Sequence, residues 1–347
     1  MTVTSQDSTS GARDMRRPAF GNGLWLIGVL IVLVTLAGAS VVIGSRDVDW
    51  SDIVAALGGS TENIGQGAIA KRIPRTVLAL VVGAALGLAG AVMQGITRNP
   101  LADPGILGVN MGASLAVVVG MAWFGLWTQT SMIWVAILGA AAAALFVYVV
   151  GSLGRDGATP LKLALAGAAT SAAFASFITA IMLPRNDIAA SARSWQIGGV
   201  GGASFDSIRQ GLPFFVVGFV ICLLSARSLN SLALGDEVAA GLGARVGLVR
   251  AATALGAVLL CGAATAIAGP IGFVGLVVPH FCRLLIGIDN RWLLPFSALT
   301  GAGLLVAADV LGRIVARPSE IDVGIITALI GAPFFIYIVR RQKIREL

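Results

Sequence analysis

Apolar residues in this chain gather in runs of about twenty, separated by short polar breaks. A helix needs ~20 mainly apolar residues to cross a hydrocarbon layer of ~30 Å. Read that way, the sequence predicts ten spans, at 23–44, 75–95, 105–125, 131–152, 161–183, 211–228, 249–268, 272–286, 293–315 and 322–339. The eighth is short and interrupted by Gly and Pro, so it is not expected to cross as a regular helix. The ~10-residue alternating segments of a membrane β-barrel do not occur. The pattern therefore predicts an all-α membrane protein, with a transmembrane domain over 23–340, a cytoplasmic N-terminal tail over 1–22 expected to be disordered, and a cytoplasmic C-terminal tail over 341–347. The first run has two readings. Arg16, Arg17 and the apolar run ending in AGAS (Ala37 to Ser40) also fit a cleaved leader. A retained helix is favoured, because apolar residues continue through VVIG.

Composition strengthens the membrane reading. Hydrophobic residues make up 57% of the chain and charged residues only 12%, against about 25% charged in soluble domains, and the mean hydropathy is +0.90. Glycine is abundant, at 45 residues, and small residues let membrane helices approach closely. With the N-terminus inside, the inner segments hold 15 of the 24 basic residues and 8 of the 17 acidic ones. That excess is the asymmetry of cytoplasmic loops, and ten spans return the C-terminus to the same side. The net charge of +7 is thereby explained without a nucleic-acid partner, for which no basic patch with interleaved aromatics exists. Cys222, Cys261 and Cys282 lie in apolar runs without CxxC spacing and read as buried small hydrophobes. One histidine, His280, cannot build a multi-histidine metal site, and no metal is expected.

The polar interruptions carry the candidate chemistry. TRNPLADPGILG (Thr97 to Gly108) places two prolines between the second and third spans, where they disfavour helix at Asn99 and Asp103 and force a turn. Asp309 and Arg313 stand four residues apart on one helix face, which suits an ion pair. A neutralised pair with Arg313 snorkelling to the interface and a transport role are both open. SLALGDEVAAGLGARVGLVR (Ser231 to Arg250) is long for a connection and suits a docking surface of short helices, with Gly241 and Gly243 permitting a reversal. KRIPR (Lys71 to Arg75) opens the second span on the outer side, Pro74 starting the helix. Carboxylates of an external partner and lipid headgroups are equal explanations of its charge. GPIGFVG (Gly269 to Gly275) follows no strand and reads as close helix packing, and no P-loop is present. GAALGLAG (Gly83 to Gly90) and GAATAIAG (Gly262 to Gly269) agree at five of eight positions, each with a Pro 17 residues after its first Gly. An inverted repeat of spans 2–5 and 7–10 and a chance echo of Ala/Gly-rich sequence explain this equally well.

Several long motifs, in order, resemble a known family. GAALGLAGAVMQGITRNPLADPGILGVNMGAS, RIPR, SWQIGG (Ser194 to Gly199), LALGDEVAAGLG, GPIGFVGLVVPHFCR and ADVLGR…IGAPFFI are similar to the permease subunits of ATP-binding-cassette importers for iron–siderophores, haem and cobalamin, the FecCD- and BtuC-like permeases. The resemblance runs from first span to last and is greatest to ferric-enterobactin-type, catecholate permeases. It implies the type II importer permease fold in a bacterial inner membrane. A second permease subunit, paralogue or self copy, would pair with this chain around a central pathway. Two ATPase subunits holding ATP and Mg would sit below and an extracytoplasmic binding protein above, with no cofactor and no catalytic site in this chain.

The resemblance also implies residue roles. Asn99, Pro100 and Leu101, with Thr159 in a second and looser match, fall at the cytoplasmic gate; Pro160 departs from the small hydroxyl residue expected there. Arg72, Arg75 and Arg313 fall where the binding protein's acidic residues dock. Leu234, Gly235, Asp236, Glu237, Ala240, Gly241, Leu242 and Gly243 fall at the helices that couple to the ATPase. A haem or cobalamin importer permease, an ion-coupled secondary transporter, and a receptor that moves no substrate are the rival readings.

Overall fold

The computed structural model describes residues 19–46, 48–153 and 159–343. Most of the tail expected over 1–22, the inner-side charges Arg13, Arg16, Arg17, Arg155 and Arg345, and the last residues of the C-terminal tail lie outside them. Among the described residues the chain forms fourteen α-helices: α1 (Ala19–Val42), α2 (Trp50–Leu57), α3 (Ile64–Thr97), α4 (Val109–Phe124), α5 (Gln129–Ser152), α6 (Pro160–Met182), α7 (Asn186–Gln196), α8 (Phe205–Leu224), α9 (Ala226–Ala233), α10 (Asp236–Gly241), α11 (Val246–Ala268), α12 (Val274–Ile286), α13 (Asn290–Val315) and α14 (Val323–Lys343). Seven are long and apolar enough to cross a membrane, namely α1, α3, α5, α6, α8, α11 and α13, and three shorter apolar helices, α4, α12 and α14, fall on the other three expected spans.

Two helices start at least six residues earlier than hydrophobicity alone predicts. Helix α3 begins at Ile64, eleven residues before the expected start, because the Asn63 side chain accepts from the Gln66 amide and caps it. Pro74 therefore lies inside the helix and does not open it. Helix α8 begins at Phe205, where Ser204 and Ser207 form a reciprocal cap. The apolar count missed both because a cap is a local hydrogen bond, independent of hydropathy. The irregular entry expected for the eighth span is present. Helix α11 ends at Ala268, the chain turns through Gly269 (φ +72°) and Phe273 (φ +68°), and α12 is only 13 residues long.

Glycine governs the packing. Helix α3 packs against α13, α11 and α12, and its buried face includes Gly83, Gly87 and Gly90. A methyl group added at Gly83 would strike the Gly301 carbonyl of α13, one at Gly87 the Ser297 carbonyl, and one at Gly90 the Gly275 carbonyl of α12. Gly112 and Gly139 bring α4 and α5 equally close, and Gly218 and Gly256 do the same for α8 and α11. This is the small-residue packing expected where lipid offers no less apolar contact than a neighbouring helix. GPIGFVG belongs to the same system through Gly275.

The pairing is reciprocal between the two halves of the chain. Helix α3 packs on α12 and α13 of the second half, while α11, its counterpart, packs on α4 and α5 of the first. Gly83 meets α13 and Gly262, its counterpart in the echo, meets Ala140 of α5. The prolines do not follow. Helix α3 continues seven residues past Gly90 before the turn at Pro100, whereas α11 stops just before Gly269 and Pro279 lies within α12.

Candidate functional site

The polar groups collect at the two ends of the bundle and at the break between α3 and α4. At the end where α3 begins, the helices α1, α3 and α13 bring Arg72, Arg75, Asp309 and Arg313 together, joined by Glu320 from the α13–α14 connection. Asp309 is fully buried; its carboxylate takes two bonds from Arg75, from Nη2 at 2.8 Å and Nε at 2.9 Å, and pairs with Arg313 Nη2 at 2.9 Å. Arg75 also pairs with Glu320 at 2.5 Å, and Ser45 Oγ donates to the same carboxylate at 2.8 Å. The i,i+4 pair expected of Asp309 and Arg313 is formed, but Arg313 is 1% exposed and does not snorkel. It is enclosed by the end of α1.

That enclosure has a local cause. The last carbonyls of α1 have no intrahelical partner, and arginines supply one there and along the chain that follows. Arg313 donates to the Ser40 and Ile43 carbonyls at 2.9 and 3.0 Å, Arg72 to the Val42 and Arg46 carbonyls at 2.8 and 2.7 Å, and Arg317 to the Gly44 carbonyl at 2.6 Å. Cations at a helix C-terminus also answer its partial negative charge. Of KRIPR only Lys71 is exposed, while Arg72 and Arg75 are buried among internal acceptors. Their inner edges line a cleft of ≈ 450 Å³ together with Arg46, Lys71, Arg313 and Glu320.

Glu320 was not singled out by the sequence, which shows it as a loop acid between two apolar runs. Burial works against its ionisation, but the hydrogen bonds from Arg75 and Ser45 and the charges of Arg75 and Arg313 hold its carboxyl below the usual 4.5. A carboxyl depressed by folding stabilises the fold when ionised and loses that contribution as pH falls through its folded-state value. Wild type and Glu320→Gln should therefore differ in thermal unfolding at about pH 7 and converge as the pH falls below the usual carboxylate range.

At the opposite end, α9 and α10 lie between α8 and α11. Helix α9 turns Ala226, Leu229 and Leu232 inward, and Asn230 ties it to α13 by donating to Asp289 at 2.6 Å and accepting from the Asn290 amide at 2.9 Å. The chain reverses at Gly235 (φ +114°) and Gly243 (φ +86°). Gly241 is not a reversal point, contrary to expectation, but the last residue of α10. Asp236 pairs with Arg98, at the end of α3, and with Arg250 of α11 at 3.0 Å. Leu234, Glu237, Val238, Ala240, Gly241, Leu242 and Gly243 are exposed, so an apolar strip faces outward from a segment fastened by its charges.

In the break, both prolines sit where a missing donor costs nothing. Asn99 Oδ1 accepts from the Leu101 amide at 2.9 Å and the Asn99 carbonyl from Ala102 at 3.1 Å, closing a turn around Pro100. Asp103 caps a 3-10 turn over Pro104–Leu107, with Pro104 at its first position. Burial raises the Asp103 carboxyl above its usual value, opposed by the hydrogen bond from the Gly105 amide. The 3-10 turn packs on α6, the helix whose N-terminus Thr159 caps by accepting from Lys162. Asn99, Pro100, Leu101 and Thr159 are all half-buried.

Two polar contacts inside the bundle were missed. Gln94 of α3 accepts from Arg283 at 2.6 Å and reaches the Gly275 carbonyl of α12; Arg283 reads from sequence as a cytoplasmic loop charge. Asn110 of α4 accepts from Thr265 of α11 at 2.9 Å. The available signal was an uncharged amide within an apolar run, since polar groups at membrane depth seek partners. The three cysteines are buried and free.

Known proteins match this arrangement along nearly its whole length. The profile of the FecCD transport family covers residues 29–341. Bacillus subtilis YfiZ, assigned as a siderophore transport system permease, is 43% identical over 91% of this chain and 95% of its own. The ferric enterobactin transport system permease FepD of Escherichia coli is 41% identical over 91% of this chain and 94% of its own. A solved transporter assigned to the metal-chelate ABC type, in an inward-facing conformation, superposes with a TM-score of 0.80 at 29% identity, covering 92% of this chain and 99% of that one.

Proposed function

The chain belongs to the FecCD transport family, and from that premise we propose which chelate it moves and how it is driven. It is a permease subunit of an ATP-binding-cassette importer of the iron-chelate type. The cargo we assign is a ferric siderophore of the catecholate class, a reading supported by the likeness to FepD, whose name gives ferric enterobactin as that relative's cargo. An extracytoplasmic binding protein delivers it, a second permease completes the pathway, and two partner subunits hold the ATP and Mg. Both termini face the cytoplasm of a bacterial inner membrane. The α9–α10 end then lies inside and the arginine cleft outside.

The observation that best supports an ATP-driven reading is the α9–α10 reversal. A connecting loop has no need to present Leu234, Val238 and Leu242 to water while Asp236 is fastened to two helices. Such a strip fits a groove on a soluble motor subunit. The broken stretch at Asn99–Leu101 serves as the inner constriction, irregular backbone at membrane depth being tolerated where it lines a pathway.

Vesicles carrying the chain with its partner subunits should take up ferric enterobactin in a vanadate-sensitive manner. Leu242→Asp should reduce that uptake by roughly tenfold or more without lowering the amount of folded permease, because exposed substitutions change stability by about 0.5 kcal/mol or less. Uptake that ignores vanadate and follows an ion gradient would establish the secondary-transporter reading instead. Leu101→Cys should crosslink to its counterpart in the second permease when the pathway is closed inward, and its absence in every nucleotide state removes Leu101 from the gate.

A further inference from the structure

Between α4 and α6 a groove of ≈ 480 Å³ opens in the half of the bundle away from α9 and α10, apart from the arginine cleft. Leu115, Val119 and Trp123, on successive turns of α4, form one wall; Phe177, Ile181 and Arg185, at the end of α6 and just beyond it, form the other. Trp123 and Phe177 are 61% and 59% exposed. Arg185 donates to the Ala122 carbonyl, and its guanidinium stands over the Trp123 ring, 5.5 Å from the centroid. Ala122 lies in the last turn of α4, where backbone acceptors lack intrahelical partners. The arginine is thereby fixed in place but not neutralised. Among the described residues no carboxylate pairs with it.

Both walls lead to the inner constriction. Helix α4 is the one that leaves the break at Asn99–Leu101, Thr159 caps the start of α6, and the 3-10 turn in the break packs on both helices. Helix α6 runs for 23 residues, about 35 Å at a rise of 1.5 Å per residue, enough to join the two faces of a ~30 Å hydrocarbon layer.

We propose that this groove is a cargo site on the outer part of the pathway, in which Arg185, Trp123 and Phe177 hold one ring of an anionic, aromatic iron chelate. The inference rests on the importer reading with its catecholate cargo, and adds the residues that select that cargo within the permease. Catecholate rings bring more negative charge than a ferric ion cancels, so their complex is an anion with flat apolar faces. Trp123 and Phe177 answer the faces, and the planar, permanently charged guanidinium of Arg185 answers the charge. A single cation holds such a ring weakly, as a site that must release its cargo requires. A ferric trihydroxamate, neutral and without rings, finds neither partner. A lipid would account for Trp123 alone, since tryptophans gather at both membrane surfaces. It would not account for a groove whose two walls descend to the gate.

The probe is the gallium(III) complex of enterobactin, with the neutral gallium(III) complex of desferriferrichrome as control. Each is titrated calorimetrically against the assembled importer, without binding protein, in phosphatidylcholine nanodiscs. Wild type should prefer the catecholate complex, and raising salt should weaken that preference. Arg185→Gln should lower catecholate affinity by about tenfold, the worth of a hydrogen bond to a charged group, and leave the control unchanged. Arg185→Lys, which keeps the charge but not the plane, should fall between. Trp123→Leu should cost about two- to five-fold, the worth of a part-exposed ring contact. A merely structural role would lower the yield of folded complex and affect both probes alike. Equal binding of the two probes by wild type overturns the proposal, as does unchanged catecholate binding by Arg185→Gln. If phosphatidylglycerol in the disc erases the difference between wild type and Arg185→Gln, the occupant is a lipid headgroup and the proposal falls. Vanadate-sensitive uptake of ferric enterobactin with the binding protein present checks the underlying reading separately. Uptake that persists through these failures strikes the groove alone, whereas its absence in wild type strikes the cargo.

Discussion

Asp309→Ala is expected to destabilise the folded protein by about 3–5 kcal/mol, the cost of removing one partner from a buried ion pair. Asp309 is fully buried and, among the described residues, is the one carboxylate that bonds both Arg75 and Arg313. Without it, Arg313 retains neutral acceptors only, the Ser40 side chain and the carbonyls at the end of α1. Arg75 keeps Glu320, which is more exposed and screened by solvent. Asp309→Asn preserves shape and an acceptor but not charge, and should fall between wild type and Asp309→Ala. The measurement is thermal unfolding of the detergent-solubilised chain, with surviving folded protein as a second readout. A loss below about 1 kcal/mol would show that water or lipid phosphate reaches the arginines, and the site would then be more open than its burial implies.

Gly90→Leu should be the most damaging apolar substitution in the chain. Ordinary overpacking costs about 1–3 kcal/mol because neighbouring side chains can rotate away. At Gly90 the obstacle is the backbone of Gly275, carbonyl included, which has no rotamer to change. Even Gly90→Ala forces α3 and α12 apart. Gly67, in the first turns of the same helix, has nothing within 4 Å of an added methyl. Gly67→Ala should therefore be neutral or stabilise by about 0.5–1 kcal/mol through helix propensity. A scan that found Gly90→Ala and Gly67→Ala alike would contradict the close approach of α3 and α12.

The architecture was legible because bilayer thickness imposes a length on every crossing helix, and that constraint is written in composition. Ten apolar segments were expected and ten apolar helices answer to them. Helix starts at Ile64 and Phe205 were not legible in this way, since they depend on single side-chain caps at Asn63 and Ser204. Arg72, Arg75, Asp309 and Arg313 were visible one by one, as KRIPR and the Asp309–Arg313 spacing, whereas Glu320 was not. Their joint use was not, because Glu320 reaches Arg75 across 245 residues of sequence and Arg313 reaches Ser40 across 273. A separation of 189 residues likewise hid the partnership of Gln94 with Arg283. Sequence spacing reports neighbours on one helix, and this site is made almost wholly of neighbours on different ones.

The glycine contacts also say where this bundle cannot move. Backbone touches backbone between α3 and α13, between α3 and α12, and between α4 and α5, with α8 and α11 in near contact through Gly218 and Gly256. Helices seated that closely cannot slide past one another without first separating, and packed interiors resist that. They behave as preassembled blocks. Helix α6, by contrast, leaves most of its surface uncovered, and α1 is largely bare except where it meets α3 and α13. Relative motion in a transport cycle is therefore easier between these blocks than within them.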